Sequence, residues 1–140
     1  MSHEAAIRLR TYVETRGHTP VRVTKQLVRY WWKILNDVVF DGVLLPIRHI
    51  DLMVSQEVHA WAIPSVHDQI DLHIQDRFLE RTTFLTVLVH EMVHAWEYMT
   101  RGRMSHGPAF VGWSKVVKER TPLMLRKAIR DYEHTRRTVR

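Results

Sequence analysis

His90, Glu91 and His94 stand in the pentapeptide His-Glu-Met-Val-His, inside a long apolar-periodic stretch, and the chain's capacity for chemistry is concentrated there. In a helix of 3.6 residues per turn, side chains four apart return to the same face. Two imidazoles on one face can bind one ion and supply half of a tetrahedral zinc shell. Glu91, beside the first histidine, is set to take a proton from a water held by that ion rather than to ligate the ion itself. This is the first half of a zinc-hydrolase pattern. The bland alternative is that, in a chain with 10 histidines among 140 residues, these are ordinary hydrogen-bonded core groups.

The element that must position them is predicted over residues 83–102. Leu85, Leu88, Val89, Met92, Val93, Trp96 and Met99 make it apolar around most of its circumference, the mark of a buried helix. Thr82 or Thr83 is placed to cap its start and Gly102 to close it in the left-handed conformation. Two histidines and a carboxylate buried in such a helix need partners, because unpaired buried polar groups are costly.

A catalytic zinc usually has three protein ligands and an open position. A metzincin continuation needs glycine at position 97 and histidine at position 100; Glu97 and Thr100 exclude it. Glu119 is a formal candidate for a glutamate on a later helix, but its neighbours Lys118 and Arg120 suggest a solvated helix end. His106 is the better third ligand. It follows the Gly102 stop in Arg-Met-Ser-His-Gly-Pro-Ala-Phe, where Gly107 relaxes the backbone and Pro108 suits the first turn of a new helix.

The His90-Glu-Met-Val-His94 pentapeptide, a spacer of about a dozen residues, and His106-Gly-Pro-Ala-Phe110 together resemble the SprT-like metallopeptidase family, which includes the bacterial SprT and eukaryotic Spartan proteases. The stretch from Trp32 to Pro46 is similar to that family's opening helix and turn, and Ala60-Trp61 to its strand ahead of the metal helix. The resemblance spans residues 25–118. It implies zinc on His90, His94 and His106, with Glu91 as base. Many members carry a four-cysteine zinc ribbon after the protease core; this chain has no cysteine, so recruitment through a ribbon does not carry over.

At 140 residues the chain is expected to form a single domain, 1–140, with no room for a second. No run is long enough to cross a membrane, and the N-terminal residues lack the apolar core of a signal peptide. Without cysteine there are no disulfides, which fits a cytoplasmic location. The net charge of +6 is unevenly placed: up to Ser114 there are 12 Lys/Arg and 12 Asp/Glu, and from Lys115 onward 9 and 3. A basic helical segment is expected over 119–140, with Leu125, Ile129 and Tyr132 toward the body and Arg126, Lys127 and Arg130 outward. Such a segment suits phosphate contacts, so nucleic acid is an expected partner. A solvated face that binds nothing specific is the alternative.

Helices are predicted over 3–16, through Ile7, Leu9 and Val13, and over 24–40. Strands are predicted over 47–54, 59–63 and 69–74, with a hairpin connection at 64–68. A further helix starts at Pro108, its inner face Phe110, Trp113, Val116 and Val117. The expected fold class is α+β: a zincin-like domain with a small three-stranded sheet against the metal helix and flanking helices. An exposed strand edge near the metal can pair with an extended substrate, and Trp61 and His59 either border that groove or sit in the strand as surface and core residues. Tyr98 and Arg103 are candidates for stabilising an oxyanion. The leading reading is a zinc-dependent endopeptidase acting on protein or peptide substrates. Its rival is a nucleic-acid-binding or assembly protein whose zinc only stabilises the fold.

Overall fold

A computed structural model of the chain describes residues 2–54 and 59–125. The first helix, α1 (His3–Arg16), opens on Ser2, whose hydroxyl accepts the Ala5 amide at 3.2 Å. Its inner stripe is Ala5, Leu9 and Tyr12, the last packed at a tilt against Trp31, with ring centroids 4.4 Å apart. Ile7, expected inside, is instead 49% exposed. The stripe that meets the next helix steps by four and three from Ala5 and leaves Ile7 on the solvent side.

After β1 (Val21–Arg22), α2 (Lys25–Phe40) is capped by Thr24, whose hydroxyl accepts the Leu27 amide at 3.0 Å. It buries Val28, Trp31, Trp32, Leu35, Val38, Val39 and Phe40. Asp41 and Gly42, both at positive φ, end it where the helix predicted over 24–40 stops. The polar side chains of α2 then hold the following loop. Asn36 makes a two-way bond with the Leu44 backbone, Trp32 Nε1 donates to Leu45 O, and Arg29 donates to Ile47 O.

The sheet comprises β2 (His49–Met53), β3 (Ala60–Pro64) and β4 (Ile70–Gln75) in the order β2-β4-β3, with β2 parallel and β3 antiparallel to the central strand. A 3-10 turn at Val66–Asp68 makes the predicted β3–β4 connection, with His67 and Asp68 at positive φ. Ile70, Leu72 and Ile74 form the buried face of β4. The pairing phase fixes which groups β3 presents at its outer edge. Ser65 N donates to Gln69 O and Gln75 N to His59 O, both at 2.9 Å, so Trp61 and Ile63 also exchange bonds with β4. Backbone groups alternate in an antiparallel pair, so the amides of Ala60 and Ala62 point away from β4, toward the free edge.

A second, two-stranded ladder joins β1 to β5 (Arg77–Phe78), with Val21 opposite Phe78. Then come α3 (Arg81–Arg101) and α4 (Pro108–Arg120). From Phe84 to Val93 every residue of α3 is buried; α1, α2, α4, β3 and β5 pack around it. Trp113 of α4 packs at a tilt on Phe40 of α2 and edge-on against Trp96 of α3. Arg120 locks the end of α4 onto α2 by donating to Val39 O at 2.9 Å and Asp41 Oδ1 at 3.1 Å. Residues 121–125 are not helical, although Leu123 and Leu125 are buried. The remainder of the basic segment expected as helical over 119–140 lies outside the described residues. Among those described, no helix is long and apolar enough to cross a membrane.

Candidate metal centre

The start of α3 is set by backbone rather than by a threonine cap. Its N-cap is Glu80, with no side-chain cap bond; the amides of Arg81 and Thr82 donate to the carbonyls of Thr19 and Gly17, each at 3.0 Å. Those carbonyls, from the turn after α1, take up the first amides of a helix that starts ahead of the expected cap at Thr82 or Thr83. The far end follows the sequence: Gly102 adopts φ 70° and its amide donates to Tyr98 O at 2.9 Å. The chain then turns through residues 103–107 and re-enters a helix at Pro108, which brings His106 back over α3.

The three histidines converge. Nε2 of His106 lies 3.1 Å from Nε2 of His90 and 3.2 Å from Nε2 of His94. Ligand atoms of a tetrahedral zinc, each about 2.0–2.1 Å from the ion, sit roughly 3.3 Å apart, so the spacing fits one ion among them. Phe110 seats the cluster from below, its ring centroid 4.9, 6.0 and 5.0 Å from those of His90, His94 and His106. His90 is buried, His94 half-buried and His106 exposed, so the cluster opens to solvent on one side. Among the described residues this is the one group of three His, Cys, Asp or Glu side chains placed to hold a metal. Glu119 is exposed on α4, outside that group.

Glu91, next to His90 on α3, is 2% exposed. Its carboxylate accepts the Ala62 amide from the free edge of β3, while Oε2 is enclosed without a protein partner. Burial pushes its pKa up to about 8, against a smaller lowering by the Ala62 bond. Burial also lowers His94 to about 4, helped by the neighbouring His106 and opposed by Glu97. Both shifts are what a metal-free pocket imposes on charged groups, and a cation would reverse the first. Three ring nitrogens within reach of one another are a donor set for a bound cation, and a carboxylate oxygen with no donor beside it is free to accept a proton. The residues fit zinc.

These shifts predict how the metal-free protein responds to pH. Glu91 is raised, so its contribution is fully present below pH 4.5 and is lost as pH climbs through 8. His94 is lowered, so its contribution is present above 6.5 and lost as pH falls through 4. The two oppose each other between about 4.5 and 6.5, leaving Glu91 alone above that. Thermal unfolding of chelator-treated protein should therefore show stability falling from pH 6.5 to 8, and Glu91→Gln should flatten that slope. An equal slope in the variant would assign the loss to other groups.

The remaining sequence candidates have other partners. Tyr98 donates to Ser65 O at 3.1 Å, bracing α3 against the β3–β4 turn, and Arg103 lies 3.8 Å from Glu97. His59 is a core residue stacked on Phe78, and Trp61 is a surface residue stacked on His73, which contacts Asp51 at 3.0 Å. Trp61 alternates with Ala60 and Ala62 and so faces away from the core. His67 is exposed on the 3-10 turn. Sequence reasoning missed the buried Glu97, taken only as the absence of a metzincin glycine. Its position three after His94 and seven after His90, on the ligand face of a buried helix, was the available signal.

A mixed α+β domain that brings three imidazoles together beside a buried carboxylate defines a candidate metal-binding protein. The model of the SprT-like family matches residues 28–134, from α2 through the sheet, α3 and α4, and the chain belongs to that family. No curated protein matches the sequence.

Proposed function

We propose that the protein is a zinc-dependent endopeptidase of zincin-like architecture, with His90, His94 and His106 as metal ligands and Glu91 as the catalytic base. The observation that carries this is the convergence of the His90, His94 and His106 rings, with the buried Glu91 next to His90 on the same helix. Zinc held by these residues supplies Lewis acidity, polarising a carbonyl and lowering the pKa of water to about 7. The rest is done by the chain. Glu91 Oε2, the oxygen without a donor, takes the proton of the attacking water and passes it to the leaving amine. A cation nearby favours its ionised form, the form a base requires.

The edge of β3 gives the site a way to hold substrate. β3 is an edge strand whose Ile63–Pro64 end is exposed, and an extended chain laid along that end pairs through main-chain bonds with little demand on its side chains. That suits protein substrates in an unfolded or extended state. Three ligands with an open side also favour a catalytic over a closed structural site, in which four protein ligands are usual. Cleavage of an unfolded protein, compared with the Glu91→Gln variant, tests the reading directly.

The charge excess beyond Ser114 supports a second element of the proposal, contact of the C-terminal segment with nucleic acid, and with it DNA-associated proteins as substrates in a cytoplasmic setting. Deleting residues 134–140 removes Arg136, Arg137 and Arg140. DNA affinity should fall, and the slope of log affinity against log salt should become shallower by roughly one unit per lost phosphate contact. Zinc content and hydrolysis of a small peptide should stay as they were. Unaltered affinity and slope would leave the tail as a solvated end.

A further inference from the structure

We propose that Glu97 and Ser105 form a latch that holds His106 over the metal site, making Glu97 a positioning residue for the third ligand. The inference rests on the three-histidine reading above and concerns what keeps that set assembled. His106 is the exposed member, carried by the loop between α3 and α4, whereas His90 and His94 are fixed by the helix itself. Something must hold the loop against α3 before an ion arrives.

Glu97 is placed to do so. It is 2% exposed, and a buried carboxylate is costly unless it is well bonded. Three residues past His94 and seven past His90, it shares their side of the helix. Its two oxygens lie 3.0 and 3.3 Å from Ser105 Oγ, which donates its proton to them. The same Oγ accepts the Gly107 amide at 3.3 Å. The residues on either side of His106 thus hang on one hydroxyl, and that hydroxyl hangs on one buried carboxylate. Arg103 Nε, 3.8 Å from Glu97 Oε2, ties the loop to the same carboxylate a second time. A hydrogen bond to an ionised acceptor is stronger than a neutral one, which favours a carboxylate at the root of the chain.

The latch acts through preorganisation. With the loop already held, binding an ion need not also order His106, and the latch's contribution appears as metal affinity. Groups that orient ligands in this way typically account for about 10- to 100-fold in affinity.

Zinc dissociation constants, measured by competition with a chelator of known affinity, test this. Ser105→Ala and Glu97→Ala should each weaken binding by about 10- to 100-fold, and the double variant should be no weaker than the worse single, because both break one chain of bonds. Glu97→Gln keeps an acceptor for Ser105 and should restore most of the affinity. In a His106→Ala background neither change should matter, since the ligand through which they act is gone. The absorption spectrum of the cobalt-substituted protein should also change in Ser105→Ala. Ser105 is exposed, so this variant decides the matter should Glu97→Ala fail to fold. Unchanged affinity in Ser105→Ala beside a zinc-binding wild type, or an equal loss in the His106→Ala background, would overturn the latch alone. A wild-type chain that binds no zinc would overturn the metal reading and the latch together.

Discussion

Glu91→Gln is expected to keep its zinc and to lose peptide hydrolysis by about 10²- to 10⁴-fold, the usual contribution of a positioned acid or base. That corresponds to roughly 3–5 kcal/mol of transition-state stabilisation. The substitution isolates one property. Glutamine has nearly the size of glutamate and retains an oxygen that can accept the Ala62 amide, so α3 and the edge of β3 should stay in place. It cannot take a proton from water. The metal ligands are untouched, so zinc content separates a lost base from a lost ion. In the metal-free protein the same change removes a buried acid from a pocket that disfavours its charge, so the variant should be at least as stable at pH 8 as the parent. Turnover equal to that of the parent would sink the role given to Glu91. No turnover by either protein, on several unfolded or DNA-bound substrates, would favour the alternative in which zinc only holds the fold together.

Features written in short-range patterns were legible in the sequence. The four-residue spacing of His90 and His94, the apolar circumference of their helix, Gly102 as its stop and Pro108 as the next start all arise within a few turns of one chain segment. They single out His90, His94 and His106, the three histidines that the fold brings together. The hairpin turn after Pro64 was equally local. What escaped the sequence depends on distant partners. Strands β1 and β5 are two residues each, too short to show a period, and exist because Val21 and Phe78 meet across the fold. The parallel pairing of β2 with β4 is invisible in the alternation of either strand. The N-terminus of α3 was assigned to a threonine cap because nothing nearby announces that the carbonyls of Gly17 and Thr19 serve its first amides. Glu97 was passed over for a related reason: a carboxylate in a buried helix has no meaning until the loop that answers it is in place.

Removing the ligands one at a time should have the other large effect. The purified protein is expected to hold close to one zinc per chain, and His90→Ala, His94→Ala and His106→Ala should each lose most of it, with hydrolysis falling accordingly. The three will not be equivalent in what else they disturb. His90 is 1% exposed and packed on Phe110, so its truncation also opens a cavity in the core and should lower the melting temperature. His106 is exposed on a loop, so His106→Ala should leave the metal-free fold nearly intact while emptying the site. That makes it the cleanest of the three. Changes at His67 and His73 should leave zinc content as it was, because one lies on the 3-10 turn and the other contacts Asp51 on the outer face of the sheet. His59→Ala should cost stability through lost packing on Phe78, but no zinc. Glu119→Ala, on the solvated side of α4, should change neither. Full zinc retention by His106→Ala would mean that two helix histidines find their third partner elsewhere; the Glu119 variant would then be the first to re-examine, and the latch would lose the ligand it is proposed to serve.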